Sequence, residues 1–426
     1  MKKVLLILYY WPPAGGPGVQ RWLKFVTYFK QFDIEPILYI PSNPHYPLKD
    51  DSLLNELPED LKIYSQPIKE PYRWASLLSK KNTDNMSSGV LGTENKSLLS
   101  KLMLFVRGNF FIPDARKSWV KPSITYLKSV LTEEGIDTVI TTGPPHSLHL
   151  IGMGLKRELS LKWIADFRDP WTSIHYQDKL YMTPLALNKH KKLESKVLRS
   201  ADAISVTSPS TKMAFESITQ SPVHLITNGY DTELPTEPRL DTHFSITHIG
   251  SLLSERNPKI LWRALEELCE EVSGFKDDLK LVFVGKTDRS IIDQLADYTF
   301  RNQCENVGYV PHNKAIDYQR KSQLLLLLES FDPKVAQIIP GKLFEYLSAN
   351  RPIIAIGPES WDVDLILLDT KAGTTYTFDD INSLKSDILT YYRLYKKGQL
   401  TIDSSGINAY HRRSLAEKMS KVLWEL

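Results

Sequence analysis

A glycine, a lysine and a glutamate stand close together in residues 340–347 (PGKLFEYL). Gly341 and Lys342 are predicted at the start of a helix, where main-chain N–H groups and positive charge suit a phosphate. Glu345 lies one turn into the helix, on the face of Lys342, and its carboxylate could accept from two ribose hydroxyls. An exposed Lys342–Glu345 pair is the alternative. The nucleotide site is favoured because the helix follows an apolar strand, 324–328, at the edge where such sheets bind ligands.

A second candidate site is the loop 12–18 (PPAGGPG), between the first predicted strand and the first helix. Gly15 and Gly16 would let main-chain N–H groups approach a ligand closely, and the helix start favours an anion. A simple strand-to-helix turn is the alternative, but it needs fewer prolines and glycines. The dinucleotide fingerprint fails because Arg21 stands where its third glycine should be, which argues against an NAD or FAD enzyme.

Two polar groups that follow predicted strands in the first half are candidate catalytic residues, His146 and Asp169. His146 could contact a substrate or belong to a structural helix start. One of Asp166 and Asp169 is expected to pair with Arg168, and the other could bind sugar hydroxyls or act as a base. His149 lies near His146, but no carboxylate stands at ligand spacing. We therefore expect no metal site.

The loop 250–258 (GSLLSERNP) carries Arg256 just before a helix predicted to begin at Pro258. A guanidinium at that place suits a diphosphate, because it donates several charge-assisted hydrogen bonds in a fixed plane. An arginine solvated on a loop is the alternative interpretation. Ser251 lies in the same loop and is a further candidate contact.

The composition indicates a globular protein of two domains: 426 residues, of which 42% are hydrophobic and 24% charged. The net charge is 53 − 50 = +3, too small to hold nucleic acid through an overall field. Two distant cysteines favour a reducing cytoplasm. The N-terminal run resembles a signal peptide briefly, but aromatic residues and prolines replace the cleavage site, so we expect a buried strand there.

Short apolar runs alternate with helical patterns twice along the chain, which predicts two doubly wound parallel sheets of α/β type facing a cleft. The polar segment 231–238 is the predicted linker, and 82–97 is a predicted loop. This places the domains at 1–235 and 236–405. Strands are predicted at 3–9, 37–40, 136–141, 162–165, 203–206, 223–227, 245–249, 279–284, 324–328 and 352–356, and helices at 19–32, 258–272, 289–300, 342–349 and 383–395.

Together these motifs resemble the retaining nucleotide-sugar glycosyltransferases of the GT-B fold, in particular the family 4 type. The resemblance covers nearly the whole chain. Family members often carry two glutamates eight positions apart; Glu345 matches the second, and Gln337 stands at the first. Ser251 stands where the family tends to have arginine, and Arg256 where it tends to have lysine. Val310 belongs to a segment resembling the strand whose main chain meets the nucleobase.

The resemblance implies a retaining sugar transfer without a metal or other cofactor, in which cations and helix starts stabilise the leaving diphosphate. It also implies that the segment 406–426 packs back on the first domain. Two alternatives stay open: a non-catalytic protein that binds sugar nucleotides, and a GT-B sugar-nucleotide epimerase. The donor-binding residues expected are Gly15, Gly16, Ser251, Arg256, Val310, Gln337, Gly341, Lys342, Leu343 and Glu345.

The acceptor is expected at the first domain, where two stretches combine apolar and basic residues, 98–117 and 189–199. Anionic lipid surfaces attract such stretches, and a solvated basic face is the alternative. We therefore expect a cytoplasmic enzyme, peripheral at the inner face of the membrane, that acts on a glycan or lipid-linked acceptor in cell-surface polysaccharide biosynthesis. No nucleic-acid partner is expected.

Overall fold

The computed structural model describes residues 1–70, 98–174, 180–231, 239–402 and 406–426, without the side chains of 98–100. The predicted loop 82–97, nearly all of the predicted linker and the predicted boundary at 235/236 lie outside these ranges. Contacts divide the chain into two compact units. Unit 1 consists of Met1–Asn228 and Arg412–Leu426, and unit 2 of Gly229–His411.

Unit 1 contains a seven-stranded parallel sheet in the order β3-β2-β1-β4-β5-β6-β7. The central strands are continuous apolar runs because helices cover both faces of the sheet. In β1, for example, Val4 to Ile7 are fully buried. The strands are β1 (Lys2–Ile7), β2 (Ile34–Pro41), β3 (Lys62–Gln66), β4 (Thr138–Gly143), β5 (Lys162–Phe167), β6 (Ala203–Val206) and β7 (Val223–Leu225).

The helices of unit 1 join successive strands, as parallel pairing requires. Several begin at residues suited to a helix start, such as Thr183, whose hydroxyl accepts from the Ala186 N–H at 3.3 Å. In chain order they are α1 (Pro17–Phe29), α2 (Leu98–Phe110), α3 (Val120–Glu134), α4 (Ser147–Glu158), α5 (Pro184–Ser200) and α6 (Pro209–Glu216).

Unit 2 contains a six-stranded parallel sheet in the order β10-β9-β8-β11-β12-β13. Its central strand β11 consists of five leucines, all fully buried. The strands are β8 (Phe244–Ile249), β9 (Leu279–Val284), β10 (Cys304–Gly308), β11 (Leu324–Leu328), β12 (Ile353–Ile356) and β13 (Gly373–Tyr376). The helices are α7 (Lys259–Glu271), α8 (Phe275–Asp278), α9 (Arg289–Leu295), α10 (His312–Lys321), α11 (Lys342–Ala349), α12 (Val363–Thr370) and α13 (Ile381–Lys396).

The last helix, α14 (Arg412–Glu425), returns to unit 1 and packs against α1. Leu415, Met419 and Leu423 are buried in the same apolar cluster as Trp22 and Val26. Hydrophobic burial therefore attaches the end of the chain to the unit in which the chain begins.

The predicted fold class, two doubly wound parallel sheets, is confirmed. The alternation of apolar runs did not predict β3, at one edge of the unit 1 sheet, or β10 and β13, at the two edges of the unit 2 sheet. These edge strands are partly exposed and lack the continuous apolar run that marks a strand buried on both faces. The helix predicted at 289–300 is also shorter, since α9 ends at Leu295.

Candidate functional site

Each sheet reverses its strand order at one point, and the candidate residues follow the strands that flank it. In unit 1 the reversal lies between β1 and β4, and in unit 2 between β8 and β11. Doubly wound sheets bind ligands beyond the carboxyl ends of the strands at this point. Gly15, Gly16 and His146 follow the flanking strands of unit 1, and Arg256 and Lys342 follow those of unit 2.

The glycine loop of unit 1 is held against the segment after β2. The Gly15 N–H donates to the Leu48 carbonyl at 3.1 Å, and the Asp50 N–H donates to the Pro13 carbonyl at 2.8 Å. Gly16 caps α1 with φ of 107°, a value that favours glycine. Nothing lies within 4 Å of the place where a Gly16 side chain would stand. The loop thus offers open main chain at a helix start.

Arg168 lies beside this helix start, a placement that the sequence did not predict. A side chain on Gly18 would come within 1.7 Å of Arg168 Nη1, so glycine permits the close approach of the guanidinium. Arg168 donates to the Pro144 carbonyl, and its own carbonyl accepts from Thr207 Oγ1 at 2.7 Å. The arginine adds a positive charge next to the N-terminus of α1.

Of the two aspartates, one of which was expected to pair with Arg168, Asp166 pairs with Arg21 of α1 instead, at 3.3 Å. Both side chains are buried, and Asp166 also accepts from Thr142 and Ser205 at 2.6 and 2.7 Å. Burial lowers the pKa of Arg21, and the neighbouring carboxylate opposes that effect. The pair anchors α1 to the sheet, since a buried charge needs partners.

His146 is 8% exposed and stacks in parallel on Trp171, with ring centroids 5.0 Å apart. Its Nδ1 is buried without a hydrogen-bond partner. Burial and the positive charge of Arg168 hold the pKa of His146 well below its ordinary value, so the ring is neutral at pH 7. A neutral imidazole can accept a proton from, or hydrogen-bond to, a sugar hydroxyl.

Asp114 positions the helix that begins beside His146. Its carboxylate accepts from the N–H and the hydroxyl of Ser147, both at 2.8 Å. This fixes the start of α4 and with it the main chain of His146. The second catalytic candidate of unit 1, Asp169, is half-buried two residues beyond the end of β5.

In unit 2 two glycines allow the chain after β8 to pass close to the chain after β9. Gly285 has φ of 124°, and a side chain there would lie 2.4 Å from the Gly250 carbonyl oxygen. Gly250 itself has φ of 115°. The close approach keeps the ends of the two strands clear of side chains, so a ligand can approach the main chain there.

Lys342 extends toward this place from the first turn of α11. Its Nζ donates to the Ile249 carbonyl at 3.4 Å and lies 3.5 Å from where a Gly250 side chain would stand. Tyr346, one turn on, accepts from the Ile249 N–H at 2.9 Å and so fixes α11 to β8. Burial and the nearby Arg256 charge lower the pKa of Lys342 to about 8. A partly buried ammonium with one long hydrogen bond is suited to an incoming anion.

Arg256 forms an ion pair with Glu329 at 2.8 Å, at the end of β11. Glu329 is buried and also accepts from the Ser330 N–H at 2.9 Å. The glutamate therefore orients the guanidinium and offsets part of its charge. Sequence spacing does not reveal this pair, because its members belong to different strand ends.

Glu345 is held by two residues of the preceding helix rather than by Lys342. Gln319 Nε2 donates to one carboxylate oxygen at 2.9 Å, and His312 Nε2 lies 3.2 Å from the other. Gln319 is buried, whereas His312 is exposed. The exposed Lys342–Glu345 pair of the alternative interpretation is absent from the described residues. The carboxylate is aimed instead, and both of its oxygens are engaged.

His248 is buried near the end of β8, next to Ile249, whose carbonyl accepts from Lys342. Its Nδ1 is 3.0 Å from the Leu326 carbonyl, and since a carbonyl only accepts, Nδ1 carries the hydrogen. Burial and the charge of Lys342 keep the pKa of His248 well below its ordinary value. The ring is neutral, so the positive charge here belongs to Lys342 and Arg256.

The remaining predicted donor contacts take varied positions in unit 2. Ser251 is exposed, and Val310 is partly buried beyond β10. Gln337 lies in a loop that the Trp361 Nε1–H secures through the carbonyl of the next residue, at 2.8 Å. Leu343 is fully buried, so only its main chain remains for a ligand. Gly341 has an ordinary helical φ of −56°, which other residues also adopt.

The described ranges hold neither a metal-ligand cluster nor a membrane-spanning helix. No group of three or more His, Cys, Asp or Glu side chains in them could hold a metal ion. None of the helices in those ranges is both long and apolar enough to cross a lipid bilayer.

Comparison with solved structures finds the same fold over the whole chain. Anabaena HepE in complex with UDP is 12% identical, with a TM-score of 0.63 and 100% of both chains covered. Sucrose-phosphate synthase from Thermosynechococcus elongatus is 14% identical, with a TM-score of 0.57 and 100% and 99% coverage. The lipopolysaccharide outer core galactosyltransferase WaaB is 14% identical, with a TM-score of 0.59 and the same coverage. Identities this low show the fold alone, which is that of the GT-B glycosyltransferases.

Sequence comparisons add nothing to this result. No protein-family model matches the chain, and a search of curated proteins gives no match either.

Proposed function

We propose that the protein is a retaining, metal-independent glycosyltransferase. It moves a sugar from a nucleotide-sugar donor to a glycan or lipid-linked acceptor in cell-surface polysaccharide biosynthesis. The GT-B fold and the family 4-like motifs support this proposal. The relative that is solved with UDP has the same fold, which supports a uridine or similar nucleotide as the leaving group.

The observation that carries the proposal is the placement of two kinds of ligand-binding group on α11. Lys342, in the first turn, extends its ammonium to the strand end beside Gly250. Glu345, one turn on, presents a carboxylate aimed by Gln319 and His312. A nucleoside diphosphate requires this combination, a cation for its phosphates and an acceptor for its ribose hydroxyls.

The leaving diphosphate explains why the cations matter for the reaction. As the bond to the sugar breaks, negative charge grows on the phosphate oxygen. Lys342 and Arg256 are positioned before the reaction begins, so they stabilise that charge without further reorganisation. Arg256 keeps its geometry through Glu329. We assign the same role to the start of α11, through Gly341 and the Leu343 main chain.

His146 and Asp169 are the proposed substrate contacts of unit 1, and Gly15 and Gly16 remain predicted donor contacts. The neutral ring of His146 suits a hydrogen bond to a sugar hydroxyl. Asp169 supplies an acceptor in the same region of the sheet edge. We place the acceptor at this unit and the donor at unit 2, with domains divided near residues 235 and 405.

A panel of UDP-, GDP-, ADP- and dTDP-sugars tests the donor site, because a ligand that binds only the folded protein raises its melting temperature. At least one sugar nucleotide should stabilise the wild type. Lys342→Met should abolish the shift, and the matched control Lys397→Met, an exposed lysine of the same unit, should retain it. If none of the panel binds, the proposed function is wrong.

A non-catalytic sugar-nucleotide-binding protein is the second candidate. Gln337 occupies the position of the family's first glutamate and cannot supply its charge. Hydrolysis of the bound donor by purified protein separates the two functions. Turnover that disappears in Lys342→Met supports the transferase, and binding without turnover with any acceptor supports the binding protein.

A further inference from the structure

Helix α2 exposes an apolar stripe. Leu102, Phe105, Val106 and Phe110 are 57%, 36%, 36% and 64% exposed. Their spacing of three and four residues places them on one face of the helix. The opposite face is already buried through Leu104. A stable folded unit does not require a second apolar face, so this stripe points to a partner.

Helix α5 carries a stripe of positive charge. Lys189, Lys192, Lys196 and Arg199 are exposed and recur at three- and four-residue spacing. Within the described residues no ion pair neutralises the three lysines. The glutamate of this helix, Glu194, is buried and accepts from the Thr172 N–H at 3.0 Å. The stripe is therefore an uncompensated cationic surface, about 15 Å long at 1.5 Å per residue.

The two stripes form one continuous surface, because a hydrogen-bonded junction joins the helices. Asn109 Oδ1 of α2 accepts from the N–H and the hydroxyl of Thr183, both at 2.8 Å, at the start of α5. Beside this junction lies a depression of about 280 Å³, lined by Phe105, Phe110, Leu185 and Lys189 among others. Leu185 is 83% exposed and stands between the apolar and cationic stripes.

We propose that this surface is a docking face for a lipid bilayer with anionic headgroups. The docking face comprises Leu102, Phe105, Val106, Phe110 and Leu185 with Lys189, Lys192, Lys196 and Arg199. Apolar side chains enter the boundary between headgroups and acyl chains, while lysines beside them contact the phosphates. A nucleic acid or an acidic protein surface would match the cations but would leave the apolar stripe in water.

The docking face is connected to the candidate site of unit 1 through the buried side of α5. His190 of α5 accepts from the Trp171 Nε1–H at 3.0 Å, and Trp171 stacks on His146. One helix thus presents cations outward and supports His146 from behind. Docking brings His146 close to the membrane. The acceptor is therefore a lipid-linked glycan, an assignment that rests on the proposed function.

Vesicle flotation with the full-length protein tests the docking face. The wild type should float with phosphatidylcholine vesicles that contain phosphatidylglycerol and remain unbound with phosphatidylcholine alone. Each lysine removed should weaken binding about fivefold, so the triple variant Lys189→Gln, Lys192→Gln, Lys196→Gln should lose about 100-fold. The matched control is the triple variant Lys121→Gln, Lys397→Gln, Lys418→Gln, which has the same net charge as the first triple variant. It should bind like the wild type.

A second double variant, with a matched control, tests the apolar stripe. Leu102→Gln with Phe110→Gln should abolish the binding that persists at high salt, where the lysine contribution is screened. Leu365→Gln with Leu368→Gln, which changes leucines of α12 that are 54% and 76% exposed, should leave it unchanged. Because all of these side chains are exposed, circular dichroism should show the same fold in every variant.

Several results would overturn the proposal: no flotation of the wild type, equal flotation of the lysine triple and its control, or lysine-dependent binding to duplex DNA without vesicle binding. Self-association that Phe110→Gln removes, again without vesicle binding, would assign the face to a second copy of the chain. Thermal shifts with UDP-sugars, measured on the same samples, separate this inference from the proposed function. Flotation without nucleotide binding refutes the transferase and leaves the docking face in place.

Discussion

Lys342 combines a functional charge with an unfavourable environment. Its side chain is partly buried, and desolvation together with the like charge of Arg256 lowers its pKa to about 8. The folded protein keeps the charged lysine there although a neutral side chain of similar size would cost less desolvation free energy. An anionic ligand would offset this electrostatic cost, since it would favour the charged form of Lys342. Lys342, which would bind the diphosphate, is therefore destabilising in its charged form when no ligand is bound.

The pH dependence of stability and of affinity should consequently run in opposite directions. The folded pKa lies below the unfolded value of 10.5, so the unfolded state binds more protons between about pH 8 and that value. The contribution of Lys342 to stability should rise over this range. Affinity for UDP should fall over the same range, because the ammonium loses its proton. Urea unfolding and calorimetric titration from pH 7 to 10 measure the two.

Lys342→Met supplies the control for this prediction. It should abolish both pH trends at this site without lowering the free energy of unfolding at pH 7. A variant that unfolds more readily at pH 7 would show that the ammonium stabilises the free protein, against our account.

Gln319 is predicted to act through Glu345. It is buried, and its amide holds one oxygen of the carboxylate at 2.9 Å. Gln319→Leu should leave that carboxylate free to turn and reduce the preference for UDP over 2′-deoxy-UDP about tenfold, the value of one good hydrogen bond. Equilibrium binding of the two nucleotides measures the ratio. Gln399→Leu, at an exposed site, should not change it, and an unchanged ratio in Gln319→Leu would remove Gln319 from the donor site.

At the scale of elements, the site depends on how closely strand ends and helix starts approach one another. Unit 1 brings Arg168 against the start of α1 through Gly18, and unit 2 brings the chain after β9 against Gly250 through Gly285. The start of α4 is fixed by Asp114, and α11 is fixed to β8 by Tyr346. These close approaches and hydrogen bonds set the positions of His146 and Lys342 before any ligand binds.

Gly285→Ala should damage this arrangement severely. The new methyl group would lie 2.4 Å from the Gly250 carbonyl oxygen, and alanine is strained at φ of 124°. We expect a loss of about 2–5 kcal/mol in the free energy of unfolding and loss of nucleotide binding. Chemical denaturation and thermal shift with UDP measure the effects.

Gly398→Ala is the matched control, because Gly398 also has positive φ but nothing within 4 Å of a side chain. It should lose only about 1 kcal/mol from backbone strain and keep nucleotide binding. Equal losses in the two variants would show that φ, and not the close approach of strand ends, dominates at Gly285.

At the scale of the whole molecule, the chain begins and ends in the same unit. Helix α14 buries Leu415, Met419 and Leu423 against α1. Leu423→Ala should lower the free energy of unfolding of unit 1 by about 2–5 kcal/mol, because it leaves a cavity in the core. Hydrogen exchange should show lost protection in β1 and α1.

Leu368→Ala, at a site that is 76% exposed, is the control and should change stability little. Protection lost equally in β8 and β11 of unit 2 would contradict the assignment of α14 to unit 1 alone.

The amino-acid sequence by itself determined the fold class and most central strands, because a strand buried on both faces must be a continuous apolar run. β6, β9 and β11 were predicted to the residue. The edge strands β3, β10 and β13 were not predicted, since partial exposure removes that pattern. Glycine loops and charged residues after strands also indicated the region of the candidate site, because parallel strands bring their carboxyl ends to one edge.

Only the tertiary structure decided which charges meet. Arg21, and not Arg168, pairs with Asp166; Glu329 holds Arg256; and Gln319 and His312, far from Glu345 in sequence, aim its carboxylate. Likewise, two separate basic and apolar stretches became one surface through Asn109 and Thr183. Periodicity reports which face of an element is buried, whereas a pairing depends on distances across elements, and these exist only after the chain has folded.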